Sequence, residues 1–186
     1  DSMQVYKELQ ILTARPKKNN LKGINHYLYG FQSVKKNFST GKWQILAKKK
    51  IKEIKKKNKV PILVGGTGLY FKVITDGLVR IPNIPVYLRN KIRTFQKRIG
   101  QDKFYQKLIK LDSLAKDKIN SNDVQRSIRA YEVKKYTKIS LIEWFKKTNK
   151  NFENNDFLKI YIDFPRPELI KRINRRVEEM FKEGAI

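Results

Sequence analysis

Cysteine is absent from the 186 residues, which excludes disulfides and cysteine-based zinc sites. Histidine occurs once, as His26, and a lone imidazole without Cys or a second His makes no metal-site pattern. Tyr27, Tyr29 and Gly30 around it read as loop packing. No stretch approaches the ~20 apolar residues of a membrane span, and no signal peptide is visible. The expectation is a cytoplasmic protein with no membrane partner. Acidic residues are scarce: 17 Asp and Glu stand against 43 Lys and Arg, a formal charge of +26. Such a balance favours a polyanionic partner, for which Lys and Arg supply salt-dependent affinity. A lysine-biased composition over an ordinary surface is the bland alternative. No internal repeat is present. At 40% hydrophobic residues the chain is a folded one, long enough for one substantial core and a small subdomain. There is no initiator Met, the chain opens directly at Asp1, and it closes at Ile186 just after a helical pattern. Part of a larger domain is therefore expected.

What is present centres on Val60-Pro-Ile-Leu-Val64 running into Gly65-Gly66-Thr67-Gly68-Leu69-Tyr70. This reads as a buried strand, a tight turn and a helix start. Glycines there let backbone approach a ligand, the first helix amides point outward as anion donors, and Thr67 adds a hydroxyl. No Gly-Lys-Ser/Thr follows, so the loop is not a Walker A sequence, and Phe71 stands where a dinucleotide fingerprint needs its last glycine. A packing turn without a ligand fits equally well.

Upstream, after a loop or short strand and a brief helix over Asp1 to Pro16, Trp43, Leu46, Ala47, Ile51 and Ile54 fall at helical spacing. That helix is expected to end at Asn58, and Lys48, Lys49, Lys50, Lys55, Lys56 and Lys57 read as a solvated face rather than a specific contact. Helix, strand, glycine turn and helix in this order predict a parallel α/β sheet. Leu78 to Pro85 is irregular. Leu88, Ile92, Phe95 and Ile99 mark a helix interrupted near Gly100, and Phe104, Leu108 and Leu111 continue as another. Asn120 to Asp123 caps a third helix with Val124, Ile128 and Tyr131 inside. Leu158 to Ile162 alternates as a strand, and Pro165 and Pro167 open a last helix packed through Leu169, Ile173, Val177 and Met180. The expected organisation is an α/β core over 1–83, an all-α insertion over 84–145, and a return to the core over 146–186.

Three groups could carry chemistry. Asp1, Ser2, Met3 and Gln4 place a carboxylate, a hydroxyl and an amide within one turn. A carboxylate can accept a proton and an amide can read a base edge, although Asp1 also suits a helix cap. Gln125 and Arg129 share a helix face with Arg126 nearby, which suits phosphate and base contacts or a surface pair with Glu132. Arg172 and Arg176, also four apart, could clamp a pyrophosphate or pair with Glu168 and Glu179.

Taken in order, Asp1-Ser-Met-Gln-Val-Tyr6, Thr13-Ala-Arg-Pro16, Val64-Gly-Gly-Thr-Gly-Leu-Tyr70, Asn122-Asp-Val-Gln-Arg-Ser-Ile-Arg-Ala130 and Arg172-Ile-Asn-Arg-Arg-Val-Glu-Glu-Met180 resemble the tRNA dimethylallyltransferase family. The resemblance spans nearly the whole chain. It implies a P-loop-NTPase-like parallel-sheet core with an all-α insertion around the anticodon stem-loop. It also implies transfer of a dimethylallyl group from dimethylallyl diphosphate to the exocyclic N6 of the adenosine beside the anticodon, with Mg²⁺ at the diphosphate. By position, Asp1 would be the general base, and Asp1, Ser2, Met3 and Gln4 would line the tRNA. Thr67 and Arg89 would also contact tRNA, with Gln125, Arg126, Ser127, Ile128 and Arg129 as the second contact segment. Arg176, with Arg172 beside it, would meet the leaving diphosphate. A monomer is expected.

The family's nucleotide-binding loop, Gly-x-x-x-x-Gly-Lys-Ser/Thr, precedes the Asp-Ser motif and is not among these residues, and no metal ligand is identifiable. Leu12 stands where the family usually has glycine, and Asn25-His26 where a His pair is common. An inactive RNA-binding remnant is one alternative. A P-loop small-molecule kinase relative is another, opposed by the +26 charge.

Overall fold

Helices form where the apolar spacing asks for them. In a computed structural model, which describes residues 1–148, 150 and 152–185, Ser39 opens α1 (Thr40–Lys55) by accepting from the Lys42 amide. Trp43, Ala47 and Ile51 bury its inner face. The glycine turn leads into α2 (Gly68–Thr75), whose Val73 and Ile74 point inward. Gly100 separates α3 (Val86–Ile99) from α4 (Gln101–Leu111) with φ of 78°, a conformation that side-chain-bearing residues rarely adopt. Asp123 caps α5 (Val124–Thr137) through the Arg126 amide, and Ser140 with Glu143 forms a capping box on α6 (Leu141–Lys146). Pro165 and Pro167 bracket the start of α7 (Arg166–Lys182). Ile186, the end of the third expected segment, lies outside the described residues.

The chain divides into two compact units, Asp1–Asp76 with Asn151–Ile186, and Gly77–Lys150. In the first, Val5, Trp43, Ala47, Val73 and Ile74 make the core, joined by Phe38, Tyr70, Phe152 and Phe157. Trp43 meets Tyr70 edge-on with ring centroids 4.9 Å apart, and Gln44 donates from α1 to the Val73 carbonyl of α2. In the second, Tyr105, Leu108, Ala130, Val133 and Leu141 pack together, and Ile92, Phe104 and Ile128 form a neighbouring cluster under Phe95 and Tyr131.

The expected P-loop-NTPase-like parallel sheet is corrected by this structure. Among the described residues there is no strand, only an isolated parallel bridge between Tyr6 and Gln32. Val60–Val64 and Leu158–Ile162 have the apolar residues of strands yet run as irregular backbone, with Ile62 81% and Ile160 78% exposed. A parallel strand is stable only when neighbours satisfy its backbone groups and cover both its faces. These segments find no such neighbour, so pattern alone does not make them a sheet. Two further expectations change. Residues 10–14 form turns rather than a brief helix, and a single 3₁₀ turn follows at Lys18–Leu21. On α7 the helix forms, but Leu169, Ile173 and Val177 stay exposed and no residue of it is buried.

Burial therefore separates side chains of similar chemistry. Leu108 is fully buried, and Leu108→Ala should lose about 2–5 kcal/mol in urea unfolding. Ile173, half exposed, should change by no more than about 0.5 kcal/mol when made alanine. Equal losses at the two positions would contradict the burial pattern.

Candidate functional site

In the first unit the N-terminal segment is irregular in backbone but held at several points. The Gln4 side-chain amide donates to the carbonyls of Thr13 and Ala14 at 3.1 and 3.0 Å, so its donors are engaged within the fold. Arg15 donates to the carbonyls of Tyr6 (2.9 Å) and Lys7 (3.3 Å) and to Gln10 Oε1 (3.1 Å). The Gly30 amide donates to the Gln4 carbonyl at 2.9 Å. Gly30 sits at φ 58°, and a Cβ there would fall 2.2 Å from Arg15 Nη1. Only a glycine lets this guanidinium lie against the backbone. Nearby, a hydrogen bond with Ser33 holds the Glu8 carboxyl below the usual range, and burial pushes the Tyr29 phenol up.

These contacts place Asp1 against the glycine turn. Asp1 Oδ1 accepts from the Met3 amide at 2.9 Å, so the carboxylate caps its own turn rather than a helix. A Cβ built on Gly65 would lie 3.5 Å from the Asp1 carboxyl carbon and Oδ1. Ser2, Val64, Gly65, Thr67 and Tyr70 line one small open cavity. Ser2 is buried there, while Met3 is half exposed. The Asp-Ser motif and the glycine turn, far apart in sequence, are thus brought together.

Arg172 and Arg176 do not line that cavity. The Arg172 guanidinium lies over the Phe164 ring, 4.2 Å from its centroid. Glu179 pairs with Arg175 at 3.5 Å instead of Arg176. His26 Nδ1 lies 2.8 Å from the Ile24 carbonyl, and its ring packs beside Tyr29.

In the second unit, residues 125–129 span both faces of α5. Gln125 and Arg126 are exposed, with Arg126 paired to Asp123 at 2.9 Å. Ser127 is fully buried beside Gln101 Nε2 (3.2 Å), and Ile128 joins the core cluster with Phe104. Arg129 pairs with Glu132 at 3.6 Å, and Arg89 and Arg93 of α3 reach the same carboxylate at 3.7 Å each. Sequence reasoning singled out Arg89 and Arg129 but passed over Arg93 and the shared role of Glu132. The available signal was the four-residue spacing of Arg89 and Arg93.

Among the described residues no three of His, Asp and Glu converge as a metal-holding group. No helix among the described residues is long and apolar enough to cross a membrane.

A family model described as IPP transferase matches residues 4–186. The chain belongs to the IPP transferase family. A tRNA dimethylallyltransferase of Pelagibacter ubique (strain HTCC1062) is 56% identical over all 186 residues, which cover 59% of that protein. One from Rickettsia felis is 42% identical, again over the whole chain and 60% of its own length. The chain thus spans about 60% of the length of these curated relatives. Among solved structures, a eukaryotic dimethylallyltransferase acting on tRNA aligns with TM-score 0.80 at 27% identity, over 100% of this chain and 46% of that one. The tRNA delta(2)-isopentenylpyrophosphate transferase of Staphylococcus epidermidis aligns with TM-score 0.56 at 32% identity, over 99% of this chain and 60% of its own.

The closeness of Gly30 to Arg15 can be tested directly. Gly30→Ala should cost about 1–2 kcal/mol from its left-handed backbone, plus the hydrogen bonds lost as Arg15 is displaced. Gly66→Ala meets nothing within 4 Å and should be near neutral. Urea unfolding compares them, and equal stabilities would dismiss the Arg15–Gly30 contact as a constraint.

Proposed function

We propose that this chain forms the RNA-binding and amine-activating part of a tRNA dimethylallyltransferase. The reaction is transfer of a dimethylallyl group from dimethylallyl diphosphate to the exocyclic N6 of the adenosine adjacent to the anticodon. The observation that carries the reading is the Asp1 carboxylate lying against the bare Gly65 turn in a chain of this family. An adenine amine is a weak nucleophile, because its lone pair is delocalised into the ring. As N6 bonds to the allylic carbon, the carbon–oxygen bond to diphosphate breaks and the nitrogen becomes acidic. Asp1, oriented through Oδ1 by the Met3 amide, takes that proton on its other oxygen. The base must leave its stack to meet a carboxylate set in a turn.

Ser2, Met3, Gln4 and Thr67 would contact the RNA around the reacting base. Arg89, Gln125, Arg126 and Arg129 would hold its backbone, while Ser127 and Ile128 support that surface from inside α5. Arg176 and Arg172 would meet the charge that grows on the departing diphosphate. Mg²⁺ would accompany the diphosphate and share its charge. The protein acts as a monomer in the cytoplasm.

Transfer is to be assayed in a chain that also carries a Gly-x-x-x-x-Gly-Lys-Ser/Thr loop ahead of Asp1. There Asp1→Ala should slow single-turnover transfer by roughly 10²–10⁴, with RNA affinity retained. A rate within a few-fold of the parent would rule out Asp1 as the base.

The arginines should fail in different ways. Arg176→Ala should weaken donor use or slow diphosphate departure, with RNA affinity kept. Arg129→Ala should cost RNA binding roughly 1.5–3 kcal/mol, with donor affinity unchanged. Separate titrations with RNA and donor decide this. Equal loss of RNA affinity by both variants, with no effect on the donor, would make them parts of one diffuse basic surface.

A further inference from the structure

Three guanidiniums close on one buried carboxylate in the second unit. Arg89 and Arg93 stand one turn apart on α3, and Arg129 comes from α5. Their nitrogens lie 3.7, 3.7 and 3.6 Å from the Glu132 oxygens. The Glu132 side chain is 2% exposed, whereas the three arginine side chains keep 42–50% of their surface open. These separations are too long for hydrogen bonds. Glu132 Oε1 and Arg89 Nε are both buried without a hydrogen-bond partner. The carboxylate therefore holds the arginines by charge without consuming their forked donors.

A purely structural ion pair needs one arginine. Three guanidiniums against one carboxylate leave two positive charges on a small surface, and their mutual repulsion opposes folding. An anion arriving at the open faces removes that repulsion and finds donors suited to forked phosphate contacts. Side chains already gathered in place lose less freedom on binding. We infer that Glu132 is a positioning residue that gathers Arg89, Arg93 and Arg129 into one clamp for the phosphate backbone of RNA, with Arg93 a full member. This rests on the tRNA reading above and adds to it an anchor and a third arginine.

The test uses an anticodon stem-loop RNA and this chain, with affinity measured across a salt series. Charge alone predicts that Glu132→Gln binds more tightly, because a negative charge near the RNA is removed. Positioning has the opposite sign, and affinity should fall roughly tenfold. Arg93→Ala should lower the slope of log K against log salt by roughly 0.7–0.9, one phosphate contact. Lys91 is the control. It is exposed on the same helix, about 200° around from Arg93, and Lys91→Ala should leave the slope unchanged.

A folded Glu132→Gln variant that binds as well as the parent, or better, overturns the positioning role. If that variant does not fold, the exposed Arg93 decides. An unchanged slope for Arg93→Ala, or an equal change for Lys91→Ala, overturns the clamp while leaving the tRNA reading standing. Failure of the parent chain to bind the stem-loop overturns both.

Discussion

Burying the Glu132 carboxylate on α5 sets a condition that the second unit has to meet. A lone carboxylate out of water costs several kcal/mol, so cations must be brought to it. Two come from α3 and one from the preceding turn of α5. The requirement ties α3 to α5 at the same time as Ile92, Phe104 and Ile128 close the apolar cluster beside it. Helix packing and arginine placement are therefore consequences of one arrangement. It also explains why residues 125–129 divide as they do. Ser127 and Ile128 turn inward because α5 needs an inner face, which leaves Gln125, Arg126 and Arg129 to face outward or toward Glu132.

The first unit meets a different constraint, because the proposed base, Asp1, sits on irregular backbone. A carboxylate on a loop is useful only if the loop has one conformation. Here that order comes from hydrogen bonds to backbone carbonyls, with Gln4 and Arg15 each serving more than one. Beneath them, α1 and α2 pack through Trp43 and Tyr70, which holds the glycine turn where Asp1 meets it. Gly65 offers no side chain between the two. The arrangement allows a carboxylate to be both oriented and reachable.

Much of the local structure was legible in the residues. Apolar spacing gave the inner faces of α1, α3, α4 and α5, and Asp123 does cap α5. Gly100 does interrupt the helical run. The five ordered motifs pointed to the family that the match over residues 4–186 establishes. The lack of pairing at Val60–Val64 and Leu158–Ile162 was not legible, since both segments carry the composition of strands. Nor was the open face of α7, whose amphipathic pattern predicts burial that the structure does not contain.

Helices were readable because their hydrogen bonds close within four residues and their caps are local. The same holds for family membership, which is carried by residue identity and order. A sheet depends on partners that local pattern cannot supply, so only tertiary structure decided whether those apolar runs would pair. Only tertiary structure, too, brought Asp1 to Gly65 and Arg93 to Glu132, because each contact joins residues distant in sequence whose meeting depends on how the elements between them pack.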